Sequence, residues 1–267
     1  MREAGRRIKP MSKFIRIMAV ASLSYSLLAY GDASLANAGQ LLANGGFETG
    51  SLSGWTVASQ PGSFPGSNFF ALPGTTTPQS GSSTVGPASG SFYAVSDGLG
   101  PGTHALLQTF TVPGPASSVV LSFSLFANSY GGNFVNPIGL DFTDGANQHA
   151  RVDILSSGAP TFTTTASLLQ NFYLGTDAGP NPHAYTTYSF NITPLVGAGG
   201  AFQVRFAEVD NLNLFNLGVD NVSINFTAAT AVPEPSSLAL VALGFIWLAL
   251  VRFRRTPRTC AGRGQCS

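Results

Sequence analysis

Between Gly39 and Thr230, apolar segments of strand length recur between clusters of glycine, proline, asparagine and aspartate, and no stretch holds a helical period. A chain punctuated in this way must bury its apolar side chains between sheets rather than helices. The candidate strands are Gly54–Ala58, Ser91–Ser96, Ala105–Val112, Ser118–Ala127, Ile138–Thr143, Ala150–Leu155, Thr186–Ile192, Ala201–Asp210 and Leu217–Thr227, with Asp144-Gly145 as a hairpin signal between two of them. The abundance of Phe, at 20 residues, with 31 Gly and 17 Pro, favours sheet and turn in the same way.

About nine strands with long turns predict an all-β domain, a two-sheet antiparallel sandwich of jelly-roll type, since a solenoid would show a fixed period and none is visible. The region Pro61–Gly90, rich in Gly, Ser, Thr and Pro, reads as a long surface excursion. Its Phe64, Phe69 and Phe70 either pin that loop to the sandwich or form an exposed contact surface.

The net charge of +1 hides a segregation. Six basic residues precede Ala38 and five follow Val251, leaving only Arg151 and Arg205 between. From Gly39 to Pro235 ten acids face two bases, about −8 in all. An acidic middle is the wrong sign for DNA or RNA, so no nucleic-acid partner is expected. The two cysteines, Cys260 and Cys266, lie beyond the last apolar run, so no disulfide staples the central segment.

Two segments read as addresses. The basic stretch to Arg16 leads into the apolar run Ile17–Tyr30 and a polar region ending Ala36-Asn37-Ala38. Small residues at Ala36 and Ala38 fit signal peptidase, which places cleavage between Ala38 and Gly39, with either Met1 or Met11 as the start. Near the other end Val232-Pro233-Glu234-Pro235 precedes an apolar run, Leu238–Val251, that stops at Arg252, Arg254 and Arg255. This pattern predicts a C-terminal transmembrane helix, short for the purpose, with the arginines as a membrane stop on the cytoplasmic side. The resulting domains are a signal peptide over 1–38, an extracellular sandwich over 39–230, a sorting segment over 231–255 and a cytoplasmic tail over 256–267.

The segment from Val232 to Arg255 resembles the PEP-CTERM sorting signal of Gram-negative bacteria that make extracellular polysaccharide. That resemblance implies an exported substrate of the membrane enzyme exosortase, held in the inner membrane by its C-terminal helix in transit and then passed to the cell surface or matrix. The tail after the arginines, TPRTCAGRGQCS, is longer than usual for such signals.

The segments LLANGGFETGSLSGWTV, SGSFYAVSDG, ALLQTFTVPG and LGVDNVSINF resemble strands of jelly-roll carbohydrate-binding and galactose-binding-like modules. In those modules an acidic residue near each chain end often holds a structural calcium, and Glu48 and Asp220 match the two positions, with Asp97 a weaker third. Local capping of amides by Glu48 and a turn satisfied by Asp220 stand beside calcium as the alternative. Trp55 reads as core, whereas Tyr130, Phe134, Tyr173, Tyr185 and Phe215, in or beside polar loops, are candidate sugar platforms.

Catalytic signals are sparse. His104, His149 and His183 are isolated and read as surface or turn residues, and neither a nucleophile elbow nor a phosphate-cradling loop occurs. Asp141, Asp144 and Asp153 with His149 form the densest polar cluster, read as a charged hairpin, with glycoside hydrolysis as the alternative. Glu208 and Asp210 share one face of a strand, as a solvated face or a cation contact. The sequence thus points to a non-catalytic surface or matrix protein associated with extracellular polysaccharide, the alternatives being a glycan-active enzyme and a structural coat or adhesion protein.

Overall fold

The computed structural model describes residues 38–230 and 237–254. Residues 36–229 form one compact unit, and the helix that follows is described separately below. The strands are β1 (Ala38–Gln40), β2 (Thr56–Ser59), β3 (Asn68–Leu72), β4 (Tyr93–Asp97), β5 (Gly102–Val112), β6 (Ala116–Ser129), β7 (Gln148–Ser156), β8 (Leu168–Gly175), β9 (Thr186–Asn191), β10 (Gly200–Asp210) and β11 (Phe215–Ala228), with a single helical turn α1 (Thr193–Val196).

They make two antiparallel sheets, one in the order β3-β4-β11-β6-β9 with β1 also on β11, the other β2-β5-β10-β7-β8. The chain crosses between sheets after β1, β2, β4, β5, β6, β8, β9 and β10, the alternation of a jelly roll. The expected two-sheet antiparallel sandwich is therefore what the chain forms.

Strand parity builds the core. Leu121, Phe123 and Val219 from one sheet meet Val152, Val204 and Phe206 from the other, and Phe123 packs edge-on to Phe206 with centroids 5.4 Å apart. Trp55 is 8% exposed in this core, and its indole N–H donates to the Asn44 carbonyl at 3.1 Å, which satisfies its one polar atom.

The five-stranded sheet is covered on its outer face as well. Residues 131–147 fold over it and place Leu140 against Ala105, Leu107, Ala207 and Val209. Buried Asn147 holds that cover by donating to the Gly139 and Asp141 carbonyls at 2.5 and 3.0 Å, and Asn211 donates to the Phe142 carbonyl at 2.8 Å. Ile138–Thr143, expected as a strand, is part of this cover, and Asp144-Gly145 turns within it rather than joining two strands. The apolar residues of 138–143 are buried by lying on a sheet, not by joining one.

Three strands lie where none was expected, the short β1 among them. β3 falls inside the supposed excursion Pro61–Gly90, pairs with β4 and buries Phe69 in the core, whereas Phe64 stays 41% exposed. β8 is an edge strand on β7 with its register broken twice, so no clean alternation marks it in the sequence.

The C-terminal helix α2 spans Ser237–Arg254. Among the described residues no helix is long and apolar enough to cross a membrane. This corrects the expectation of a C-terminal transmembrane helix and of inner-membrane anchoring through it. The apolar run Leu238–Val251 is 14 residues. At 1.5 Å per residue it covers about 21 Å, against a hydrocarbon core of about 30 Å. Arg252 and Arg254 fall within the helix and end the run. Val232, Pro233, Glu234, Pro235, Arg255, Ala36 and the rest of the N-terminal segment lie outside the described residues, as does the tail 256–267.

Candidate functional site

Three places on the sandwich carry chemistry beyond packing. The first is a groove of about 390 Å³ on the outer face of the six-stranded sheet, lined by Val85, Pro87, Ser124, Tyr185, Thr187 and Asn221 among others. Its floor is polar because the exposed sides of β6 and β9 carry hydroxyls, with Ser124 and Thr187 bonded at 3.1 Å. The Tyr185 ring stands edge-on to Phe126 at 4.9 Å, and its hydroxyl is buried with no partner among the described residues. Burial pushes that phenol well above its usual range, and the Asp220 charge adds to the rise.

The second place joins the first turn to the last strand. Glu48 accepts from the Ser91 and Phe92 amides at 3.0 and 3.1 Å. Asp220 accepts from Ala88 and Ser89 at 2.9 and 3.1 Å and from Asn221 at 2.6 Å. Asp220 reaches that loop because β11 bulges just after it, where Asn221 takes a φ of 53° and Val222 donates to Gly45 at 2.8 Å. The two carboxylates flank Gly46. Burial raises the Asp220 carboxyl, the three amides offset part of that, and the Glu48 charge adds to it. The fold thus brings Glu48 and Asp220 together, and backbone amides already supply each with donors. Asp97 is elsewhere, accepting from Gln79 and Ser80 amides at 2.6 and 3.0 Å and from Asn216 at 3.1 Å.

The third place was expected in part, as a strand face carrying Glu208 and Asp210, but not with a histidine in it. His104 on β5 lies opposite Glu208 on β10, and one ligand atom from each of His104, Glu208 and Asp210 falls within 4.8 Å of the others. The three side chains are 1%, 2% and 5% exposed. Burial lowers the His104 imidazole to about 4. Burial also lifts the Glu208 carboxyl well above its usual range, with Asp210 and Asp97 adding to it, and raises Asp210 to about 7. The set has the donor types of a metal site.

His104 and His149 are buried rather than surface residues, which corrects their reading as turn or surface positions. His104 shares the parity of Leu106 and Phe110 on β5, both core residues, so strand alternation alone places it inward.

The acidic hairpin dissolves into separate roles. Asp153 is fully buried and takes Arg151 at 2.7 and 2.8 Å and Arg205 at 2.5 Å. Burial alone would raise its carboxyl, but the Arg151 hydrogen bond and the two arginine charges hold it below the ordinary value. Asp141 lies in the cover, capping Thr143 at 2.9 Å.

Several solved structures resemble the sandwich at low identity. The module TmCBM61, solved with beta-1,4-galactotriose, is 10% identical, covering 70% of this chain and 97% of that one at a TM-score of 0.43. The K3 cleaved adhesin domain of Lys-gingipain from Porphyromonas gingivalis is 16% identical over 72% and 100%, at 0.42. The CBM22-1 xylan-binding domain of Paenibacillus barcinonensis Xyn10C is 12% identical over 74% and 100%, at 0.41. At these scores the likenesses bear on neither ligand nor activity. No curated protein matches the chain. Residues 231–255 match the PEP-CTERM protein-sorting motif, so this chain carries the sorting signal that exosortase reads.

Proposed function

We propose that this is an exported, non-catalytic β-sandwich protein of the cell surface or extracellular matrix, delivered through its PEP-CTERM signal and associated there with polysaccharide. The observation that carries the reading is the match of residues 231–255 to a sorting motif, C-terminal to a sandwich closed on itself. The polysaccharide part is supported by the groove on the six-stranded sheet, where the Tyr185 ring and the polar side chains of Thr187 and Asn221 offer an apolar contact and hydrogen bonds to a sugar. The non-catalytic part is supported by Asp153, whose carboxylate is fully buried and held by two arginines, out of a substrate's reach.

In this reading signal peptidase cuts between Ala38 and Gly39, which leaves Gly39 and Gln40 paired with Phe226 and Asn225 on β11. A glycan array and matrix polysaccharide from an exosortase-bearing host, probed with the processed protein, test it. Retention without product release is expected, with Tyr185→Ala weakening retention about tenfold, the scale of losing one aromatic contact. Release of shortened glycans would make the protein an enzyme, and no retention on any glycan would make it a structural coat.

A further inference from the structure

At one end of the sandwich three inward side chains lack partners. His104 Nε2, Glu208 Oε2 and Asp210 Oδ1 are all buried and have no hydrogen-bond partner among the described residues. Leaving one such atom unsatisfied costs on the order of a hydrogen bond's desolvation, and leaving three in one place needs a reason.

The histidine's surroundings accommodate a proton on Nδ1. Ser59 Oγ lies 2.8 Å from His104 Nδ1, and its other neighbours are the Asn68 Oδ1 at 3.4 Å and the Ser67 carbonyl at 3.5 Å, both acceptors. Asn68 Oδ1 is itself identified as oxygen by the Phe69 amide that donates to it at 3.0 Å. With Nδ1 as the donor, Ser59 takes its proton and gives its own to one of these acceptors, and Nε2 keeps its lone pair for an ion. That lone pair looks at Glu208 Oε1 from 4.0 Å. A lone pair and two carboxylates converge, and the charge of Asp97 adds to the negative field at both acids. Among the described residues no side-chain cation answers them. Arg151 and Arg205, the only basic residues between Gly39 and Pro235 besides histidine, are taken by Asp153 on the opposite face of the same sheet.

We propose that His104 Nε2, Glu208 and Asp210 bind a divalent cation of the zinc class. A neutral imidazole with two carboxylates suits that class, whereas calcium and magnesium take oxygen ligands alone. Ser59 is then the outer partner that orients the imidazole, a common arrangement around zinc. Donors about 2.1 Å from one ion stand about 3.4 Å apart in tetrahedral geometry, so modest side-chain rotation closes the present spacing. The fourth position has an outlet, because Asp210 also lines a cleft of about 220 Å³ beside Leu99, Pro101 and Leu212. A water reaching the ion through that cleft completes the shell.

The test uses the full chain with Cys260 and Cys266 replaced by serine, stripped with chelator and titrated with cobalt(II) and zinc(II). One ion per chain is expected, with the visible absorption of low-coordinate cobalt. Zinc at about a hundred times its dissociation constant should raise the melting temperature by about 5 °C or more, and calcium should leave it unmoved. Glu208→Gln should abolish the cobalt spectrum. Should that variant fail to fold, Ser59→Ala, which removes no donor atom to the ion, should weaken zinc binding by about 10-fold to 100-fold. Neither spectrum nor melting shift in the parent protein would overturn the proposal and leave a proton on Glu208 as what holds the cluster together. Binding that survives both variants would place the ion elsewhere and overturn it equally.

Discussion

Asp153 sits two residues from Arg151 on one strand and across the ladder from Arg205 on the next, and in the fold all three are buried. Asn171 adds a hydrogen bond to the same carboxylate at 2.9 Å, and Arg205 also donates to the Thr161 carbonyl at 2.5 Å. Removing the carboxylate leaves two arginines without a counter-charge, a change of about 3–5 kcal/mol in buried pairs. Asp153→Asn should lose about that much in urea unfolding at neutral pH. Because the folded carboxyl lies below its ordinary value, its contribution is complete above about pH 4 and is lost as pH falls through the folded value. The gap between wild type and variant should therefore narrow only in acid. In the sequence Asp153 alternates with apolar neighbours as a solvated strand residue would, and only its burial with Arg151 and Arg205, the latter tied to the Thr161 carbonyl, reverses that reading. His104 and Glu208 were more legible, since each shares parity with core phenylalanines, Phe110 and Phe206. Their convergence was not, because nothing local says that β5 and β10 are neighbours.

At the scale of elements, the cover 131–147 makes one sheet a doubly buried one. Leu140 is 2% exposed and is the side chain that meets Leu107 and Val209. Leu140→Ala should cost about 2–5 kcal/mol and raise hydrogen exchange along β5 and β10, measured by mass spectrometry. Exchange unchanged there would mean that the cover rides on the sheet without sealing it. The long strands β5, β6, β10 and β11 were legible because both faces are apolar or alternate cleanly. β3 and β8 were not, since each is short or irregular and is stabilised by the neighbour it pairs with. A close approach fixes one more choice: β11 places Gly218 against the Phe126 ring, where any Cβ would collide.

For the whole molecule, the sandwich closes within residues 36–229, and β11 ends at Ala228. A chain ending at Ala229 should melt within about 2 °C of the full protein by calorimetry, because no core residue is removed. A larger fall would show that the C-terminal segment contributes to the fold as well as to sorting. What the sequence by itself determined is what depends on local order: strand period, the sign and segregation of charge, the absence of cysteine from the sandwich, and a sorting motif read as a linear string. What only the tertiary structure decided is what depends on pairing across long separations. The ladder sets His104 beside Glu208, a bulge turns Asp220 toward a loop more than a hundred residues earlier, and the pairing of β7 with β10 makes a buried ion cluster of an exposed-looking hairpin. Local alternation tells each side chain which face it occupies, but desolvation and charge balance depend on what lies across from it.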